Sequence, residues 1–482
     1  MLSATTASAF YQTSTIRICR GFITVTATSW AVYNHVINLD REMEFIRFNT
    51  VIYNDHKYII RILLNNLTSK LSITHSLIMS SKKTDREKTV IVIVGGGIGG
   101  LALLNALSAS INPEKHTVVL VDARPAHMHL ISSLRLIVSD ADDLLKQAVH
   151  PYGDHTFRNK FAGNGSFVHG SVTSVKFGDG GKGGQLILDS GEVVDYDLLV
   201  LATGSSWPRP LGFPTESKSA IENHIIARRA EFAEAKDILL VGGGSVGIEL
   251  AGELKDIFPS KPITIIQRER LLLNNTYPDK YRIAIQKQIE ARGVTVLTSD
   301  AIPASDASDV SASQVPKDGF VTEQGKKLKP DLVVPTWGNR PNTSYLPTDL
   351  LSSTGHVKIL PTFQLPAHPN VFAFGDIIEW KEQKGAAKAA FFHTPKVAKN
   401  IMAYLNLAES VTTSSVDLMA SNKSAKYSGS MEMIMITNGK ARGLAYFDIL
   451  WGIILGGWFV TLLKAKTLMI GRIPSQTGYT PK

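Results

Sequence analysis

The chain has 482 residues, a length that predicts two or three domains instead of a single hydrophobic core. Hydrophobic residues make up 44% and charged residues 19% of the sequence, which excludes a disordered chain. The formal net charge is +9, yet no Lys/Arg run is dense enough to indicate a nucleic-acid groove, so no nucleic-acid partner is expected. The positive charge is also consistent with attraction to anionic lipid or to a dinucleotide. The simpler alternative is that it only keeps the protein soluble.

Cysteine usage narrows the redox chemistry that the chain can perform. Cys19 is the only cysteine, which excludes an intramolecular disulfide, a CxxC redox pair and any cysteine-ligated zinc or iron–sulfur site. No metal site is predicted. If the protein catalyses a redox reaction, its electrons therefore do not leave through a dithiol.

The first 87 residues differ from the rest of the chain. No acidic residue precedes Asp40, and the stretch is rich in Ser and Thr and contains Arg17 and Arg20, a composition that suits a transit peptide. The alternatives are a disordered extension, or a chain whose real start is Met79. In each case we expect no chemistry from this segment. The protein is then cytoplasmic, or mitochondrial if the segment is a true presequence.

A strand, a glycine-rich turn, a helix and a second strand occur twice in the sequence. The strands are almost entirely apolar, as strands are when helices cover both faces of a parallel sheet. The sequence therefore predicts an α/β fold with two Rossmann-like dinucleotide-binding domains. Residues 178–184 predict a hairpin loop, and residues 301–317 a loop in the second unit. The units comprise strand 90–94, helix 99–109 and strand 117–121, then strand 238–241, helix 245–257 and strand 263–266.

In the first unit, Gly95, Gly97 and Gly100 have the GxGxxG spacing, which allows a tight turn, close backbone approach to a pyrophosphate and close packing of helix on strand. The helix that follows presents the positive end of its dipole to the phosphates. The next strand ends at Asp122, a position suited to binding a ribose hydroxyl. A plain turn is the alternative, but the flanking strand and helix favour a dinucleotide site.

The second unit repeats the spacing with Gly242, Gly244 and Gly247. Its second strand ends in Gln267 instead of an acid, and Arg268 and Arg270 follow. Without a carboxylate at Gln267 a 2′-phosphate is not repelled, and an arginine offers it a partner, so NADPH is allowed beside NADH. The alternative is that these arginines lie in a solvated loop.

Two later segments extend the pattern, since residues 198–204 end in Ala-Thr-Gly and residues 371–376 end in Gly-Asp. With these motifs, residues 88–474 resemble the pyridine-nucleotide-disulfide-oxidoreductase superfamily, and within it the apoptosis-inducing-factor-like group that includes ferroptosis suppressor protein. Two departures are Ile377 after the Gly-Asp motif, where relatives have cysteine or alanine, and the lack of a Met-Gly myristoylation signal. Further stretches similar to that group are 133–135, 150–152 and 338–342.

The resemblance implies non-covalently bound FAD in the first unit and NAD(P)H as hydride donor in the second. It implies that Thr203 and Gly204 close the FAD domain. It also implies that Asp376 binds the flavin ribityl chain and that Arg135 belongs to the cofactor site. Because the two cofactors carry the chemistry, no nucleophile or general-base triad is required.

Glu249 is the candidate catalytic residue. It follows the second glycine turn and matches a glutamate that lies near the nicotinamide in relatives, where it would orient the carboxamide. A helix-surface carboxylate is the alternative. His129, His393 and Lys388 receive no role, because nothing in their spacing assigns one.

The resemblance also implies an order of domains. Residues 1–87 are the extension, 88–235 the first part of the FAD-binding domain, 236–317 the NAD(P)H-binding domain, 318–385 the second part of the FAD-binding domain, and 386–482 a smaller C-terminal α/β domain.

Residues 449–463 form an apolar run that two lysines follow. The run is shorter than the roughly 20 residues that a membrane-spanning helix needs. Trp451 and Trp458 suit an interfacial helix, so we expect peripheral membrane contact through residues 449–466. The alternative is a buried helix of the C-terminal domain or of a homodimer interface.

These inferences predict an FAD-dependent NAD(P)H oxidoreductase that passes electrons to a quinone or a similar acceptor. One alternative is a type II respiratory NADH dehydrogenase, which depends on a membrane and a respiratory quinone. The other is a flavin-bearing binding protein, in which reduction changes partner contacts and turnover is incidental.

Overall fold

The computed structural model of the chain describes residues 88–208, 211–303, 315, 318–410, 418 and 421–479. The predictions for residues 1–87 and for most of the loop 301–317 fall outside these residues. Within them the fold is mixed α/β and has two sheets built mainly from parallel strands, as the sequence predicts.

The first sheet is built around strand β1, Thr89–Val94, in which Ile91, Val92 and Ile93 are fully buried. Its strands are parallel except for one antiparallel strand at the edge of the sheet. Burial on both faces explains why β1 is continuously apolar instead of alternating. The strands pair in the order β18 (Gln364–Leu365), β19 (His368–Ala373), β9 (Leu198–Leu201), β1, β2 (His116–Asp122) and β5 (Gly165–His169).

Two helices complete the first hydrophobic core. Helix α1, Ile98–Ser110, has apolar residues around its whole circumference, which is typical of a fully covered helix. Helix α8, Thr394–Ser410, packs on it and buries Val397 and Ile401 in the same core. This helix therefore packs with the first unit, although its residues lie within the predicted C-terminal domain 386–482.

The second sheet is parallel throughout the described residues and carries the second glycine turn. Helix α4, Lys218–Glu234, precedes the predicted boundary at residue 235 and buries Ile221 and Phe232 in its core. The last strand, β16 (Leu332–Pro335), lies beyond the predicted boundary at 317 and pairs with the first, β11 (Ile238–Val241). The strand order is β13 (Val294–Thr298), β12 (Ile263–Gln267), β11 (Ile238–Val241) and β16 (Leu332–Pro335), with helices α5 (Ser245–Ile257) and α6 (Asp279–Glu290).

A small antiparallel sheet near the C-terminus packs on the second unit. It consists of β20 (Met433–Thr437), β21 (Gly443–Phe447) and β22 (Ile453–Leu455). Ile436 and Leu444 lie in the same core as helix α5. One face of the sheet thus extends the second core, and the other face contributes to a small separate core of Ala445, Val460 and Ala465.

The apolar run 449–463 is not the single helix that the sequence predicts. It begins as a hairpin tip, continues as β22, and then forms helix α9, Gly457–Val460, which continues as a π-helical turn, Thr461–Ala465. Gly452 has φ +87 and interrupts any helix at the hairpin, which explains the division. No helix among the described residues is both long and apolar enough to span a bilayer.

Shorter elements connect these parts. They are β3 (Ala126–Met128), α2 (Ser133–Leu136), α3 (Leu144–Ala148), β4 (Val149–Pro151), β6 (Val172–Phe177), β7 (Gly184–Leu188), β8 (Val193–Tyr196), β10 (Ser205–Ser206), β14 (Phe320–Val321), β15 (Lys327–Leu328), β17 (Arg340–Pro341), α7 (Ala386–Lys388) and α10 (Ile473–Thr477). The loop between β6 and β7 is the hairpin that the glycine-rich residues 178–184 predict.

A buried ion pair ties three parts of the chain together. Arg135, on α2, donates to both carboxylate oxygens of Glu253, on α5, at 2.7 and 2.8 Å. It also donates to the carbonyl oxygens of Ala465 and Lys466 in the C-terminal segment. Burial raises the pKa of Glu253, and the guanidinium of Arg135 opposes that effect. These hydrogen bonds therefore hold α2, α5 and the C-terminal segment together, and Leu136 and Leu254, beside the ion pair, lie in the same second core.

Candidate functional site

The first glycine turn has two glycines that the protein's own packing requires. Gly95 has φ +105, and a methyl group there would overlap the carbonyl oxygen of Ala202. A methyl group at Gly100 would overlap the carbonyl oxygen of Gly95. At Gly97, by contrast, nothing lies within 4 Å of the position that a Cβ would take. The turn therefore leaves open space above its middle glycine.

The second turn repeats this arrangement. Gly242 has φ +113 and contacts Thr336, and a methyl group at Gly247 would overlap the carbonyl oxygen of Gly242. Nothing lies within 4 Å of a Cβ placed at Gly244. Both Gly97 and Gly244 are helix N-caps without a side-chain cap, so the first amides of α1 and α5 face this space. Open space beside free helix amides fits a dinucleotide pyrophosphate.

The side chain at the end of the second strand holds the turn in both units. Asp122 accepts hydrogen bonds from the amides of Gly96, at 2.5 Å, and Arg124, at 2.7 Å. Burial raises the pKa of Asp122, while the charge of Arg124 opposes that effect. Gln267 occupies the matching place and accepts from the Gly243 amide at 2.8 Å. The structure thus brings both predicted ribose-side residues to their turns.

Two side chains hold the Gly96 carbonyl group of the first turn: His127, which the sequence did not single out, and Tyr152, from the stretch 150–152 that is similar to the family. His127 and Tyr152 both contact the Gly96 carbonyl oxygen, through Nδ1 at 3.1 Å and the hydroxyl at 2.7 Å. Burial lowers the pKa of His127 to about 4, so the neutral ring donates from Nδ1 and Nε2 is left as an acceptor. That Nε2 and the Arg124 Nε are buried without a partner among the described residues. An adenosine group that supplies polar partners fits this position.

The Ala-Thr-Gly segment and the Gly-Asp turn also meet. The Thr203 hydroxyl donates to the carbonyl oxygen of Asn342 at 2.7 Å, and the Asn342 amide donates to that of Gly204 at 2.9 Å. Asp376 accepts from the hydroxyl of Ser205 at 3.0 Å. Burial raises the pKa of Asp376, and the bond from Ser205 opposes that effect. Thr203 therefore closes the junction structurally, and Asp376 lies beside it as a ligand for hydroxyl groups.

Glu249 faces the C-terminal segment. Its Oε1 accepts from Lys464 Nζ at 2.6 Å and from the amide and hydroxyl of Thr437 at 2.9 and 3.1 Å. Lys464 is a partner that sequence spacing did not assign, because 215 positions separate the two residues. Its role toward the nicotinamide stays a prediction.

The structure places the arginines that were predicted at the cofactor sites in different surroundings. Glu253 and two carbonyl oxygens hold the guanidinium of Arg135, which gives it a structural role, and its assignment to the cofactor site stays a prediction. Arg268 lies at the end of β12 beside Gln267, where it is 69% exposed and pairs with Glu323 at 3.0 Å. Arg270 pairs with Asp279 at the surface. Exposed pairs of this kind are weak enough to exchange for a phosphate.

Two glycine turns at the carboxyl ends of parallel strands, each with room for a pyrophosphate, define a class of protein that binds two dinucleotides. The family model for pyridine nucleotide-disulphide oxidoreductases matches residues 89–400. Since this match covers more than half of the chain, the protein belongs to that family. The predicted fold, family and cofactors, FAD and NAD(P)H, are confirmed.

Similar curated proteins cover most of the chain. An FAD-dependent oxidoreductase, FVFD30, of Flammulina velutipes is 41% identical over 345 residues, 71% of this chain and 99% of its own length. Apoptosis-inducing factor homolog B of Dictyostelium discoideum is 29% identical over 81% of this chain and 97% of its own. Ferroptosis suppressor protein 1 of Taeniopygia guttata is 28% identical over 81% and 96%. The predicted resemblance to the apoptosis-inducing-factor-like group is thereby confirmed.

Solved structures share the fold. The sulfide:quinone oxidoreductase of Aquifex aeolicus matches with a TM-score of 0.57 at 16% identity, over 81% of this chain and 92% of that one. Putidaredoxin reductase in its complex with putidaredoxin matches with a TM-score of 0.54 at 18% identity, over 75% and 82%. At these identities the likeness concerns the fold alone.

Substituting the middle glycines should separate the two cofactor sites. Because each faces open space in an extended conformation, Gly97→Val and Gly244→Val should fold. We expect Gly97→Val to lose bound FAD, and Gly244→Val to retain FAD but bind NAD(P)H about tenfold or more weakly, a cost of about 1.4 kcal/mol. Flavin absorbance after purification and coenzyme titration measure the two effects.

Acid precipitation of the wild-type protein should release the chromophore, and flavin retained in the pellet would contradict non-covalent binding.

Proposed function

We propose that the protein oxidises NAD(P)H and reduces a quinone or a similar small acceptor through its bound FAD. When bound, the coenzyme supplies a hydride and the flavin relays its two electrons. Gly97 and Gly244 give the pyrophosphates room, Asp122 and Asp376 are placed to accept from sugar-like hydroxyls, and α1 and α5 stabilise the negative charge. The single Cys19 leaves no dithiol as an acceptor.

The observation that carries the choice of acceptor is the contact between Glu249 and Lys464. Lys464 lies on the same π-helical turn as Leu462, and Trp458 lies on the short helix before it; these two apolar side chains are 72% and 71% exposed. The same short segment thus presents an apolar surface to solvent and an ammonium group to the glutamate of the second unit. Reduction of a quinone to a quinol takes up two electrons and two protons, one of which arrives with the hydride. We infer that the Lys464 ammonium group donates the other, since it lies on the segment that presents the apolar surface and contacts the glutamate of the second unit.

Replacing Lys464 by methionine should separate proton-coupled from simple electron transfer. We expect quinone reduction to fall by about 10- to 100-fold, because the positioned donor is lost. Ferricyanide reduction should stay close to that of the wild type, since this acceptor takes up no proton. Steady-state assays with ubiquinone analogues, oxygen and ferricyanide measure both. An equal loss with every acceptor contradicts the assignment, and slow reoxidation of the reduced wild-type flavin by all of them would favour a redox-responsive binding protein.

We also propose that NADPH is a competent donor. Gln267 carries no charge that would repel a 2′-phosphate, and the Arg268 guanidinium is exposed beside it. Glu323 is the present partner of that guanidinium and would be exchanged for the phosphate.

The coenzyme proposal predicts a kcat/KM for NADPH within about 100-fold of that for NADH, a window of nearly 3 kcal/mol. Arg268→Ala should lower kcat/KM for NADPH and leave that for NADH unchanged. Arg270→Ala, which removes a neighbouring exposed arginine that pairs with Asp279, serves as the matched control. A larger gap between the coenzymes in the wild type, or an equal effect of Arg268→Ala on both, contradicts the proposal.

The proposal includes peripheral contact of a cytoplasmic protein with a lipid surface. The hairpin tip between β21 and β22 presents Leu450 at 74% exposure and Trp451 at full exposure, both with positive φ. Trp458 and Leu462 add to this apolar surface, and the neighbouring Arg442 is exposed. Amphipathic tryptophans flanked by cations are typical of surfaces that enter the headgroup layer of an anionic membrane.

A Trp451→Glu/Trp458→Glu double variant should fold, because both side chains are exposed, and should fail to float with anionic liposomes. Burial of these side chains contributes roughly 1.5–3 kcal/mol each, so we expect wild-type binding to be reversible and to weaken at high salt. Failure of the wild type to float, or equal flotation of both proteins, contradicts the lipid surface. A change in oligomeric state of the variant would instead assign the surface to a homodimer.

A further inference from the structure

A buried polar cluster lies behind the Gly-Asp turn, on the side of helix α8. His393 is 1% exposed, and its Nδ1 accepts a hydrogen bond from the Gly375 amide at 3.2 Å. Its Nε2 lies 2.8 Å from Oε1 of Glu382, whose side chain is 2% exposed. The imidazole therefore bridges a carboxylate and the backbone of the turn that carries Asp376.

The contacts select one tautomer of His393. An amide can only donate, so Nδ1 must present its lone pair to Gly375, and the ring proton must then reside on Nε2. Glu382 is the acceptor for that proton. Burial alone would raise the pKa of Glu382, but the hydrogen bonds that it accepts from His393 and Tyr427 outweigh this and lower it to about 2. The carboxylate is thus a permanent acceptor.

The carboxylate is itself held in place by further groups. Its Oε2 accepts from the Tyr427 hydroxyl at 2.5 Å and from the Ser430 hydroxyl at 3.0 Å. Lys388 Nζ lies 4.0 Å from the same oxygen and 2.8 Å from Glu432. A buried carboxylate is costly unless it is fully hydrogen-bonded, and this one is. Such an arrangement resembles the outer partners that orient a ligand side chain through a histidine.

We propose that Glu382 and His393 form a positioning dyad that fixes the Gly375 amide and thereby places Asp376 for the flavin. The proposal rests on the proposed role of Asp376 as a flavin ligand. Neither dyad residue needs to touch the cofactor. The dyad ensures that the turn keeps one backbone conformation, with φ +84 at Gly375, before the cofactor binds.

Two amide variants of His393 test the dyad at one buried position. Asparagine places its Oδ1 where the imidazole Nδ1 lies, so His393→Asn keeps the acceptor for Gly375. Glutamine reaches instead to the place of Nε2, so His393→Gln keeps a donor for Glu382 and leaves the Gly375 amide unpaired. We expect His393→Asn to retain FAD within about threefold of the wild type, and His393→Gln to bind it about tenfold more weakly, the latter a difference of about 1.4 kcal/mol. The visible circular dichroism of the bound flavin should change in the second variant alone.

An Asp376→Ala arm separates this proposal from the one on which it rests. If Asp376→Ala binds FAD as the wild type does, the flavin role of the turn fails. If it loses FAD while the two His393 variants bind FAD equally, the dyad fails and the flavin role stands. A measurement on the unaltered protein covers the case in which the variants do not fold: nitrogen NMR of labelled histidine should show His393 neutral and protonated at Nε2. A proton at Nδ1 would overturn the proposal.

Discussion

The contact between the first and third glycines of each turn is the constraint on which the site depends. Because Gly100 has no side chain, the backbone of α1 rests directly on the Gly95 carbonyl, and Gly247 rests on Gly242 in the same way. The helix must then begin within the turn, with its unpaired amides directed away from the strand. Parallel pairing of β1 with β2 brings the end of the next strand beside those amides. The two cofactor cradles are therefore properties of backbone packing.

Most of the strands, glycine turns and helices of the two units could be predicted from the sequence, because the residue patterns that indicate them lie in short continuous stretches. Strand Ile238–Val241 and helix Ser245–Ile257 have the predicted bounds, since an apolar strand, a glycine turn and a helix follow one another without interruption. Sheet membership could not be predicted in the same way. Strand Leu332–Pro335 is apolar like the others, and nothing within it indicates that its partner is β11, in the second sheet. The prediction of a single helix for residues 449–463 was wrong for a related reason. An apolar run does not distinguish a strand followed by a short helix from one longer helix.

The contacts that sequence reasoning missed are those between residues far apart along the chain. Lys464 reaches Glu249 across 215 positions, and Arg135 reaches Glu253 across 118. Each is one of many ordinary cations in the sequence, and spacing alone cannot connect it to its partner. Burial was the missing information. The same holds for Lys388 and His393. Their buried contacts, which indicate a role, form only when helix α8 packs on the first core.

The buried ion pair of Arg135 and Glu253 has a consequence for how the tail of the chain moves. Because the same guanidinium donates to the carbonyl oxygens of Ala465 and Lys466, a motion that lifted the C-terminal segment from the second core would break both of these hydrogen bonds. A hydrogen bond to a charged group contributes about 1.5–3 kcal/mol, so a detached form of this segment is a minor species at equilibrium. The exposed side chains of Trp458 and Leu462 therefore keep a fixed place on the second unit instead of moving with a free tail.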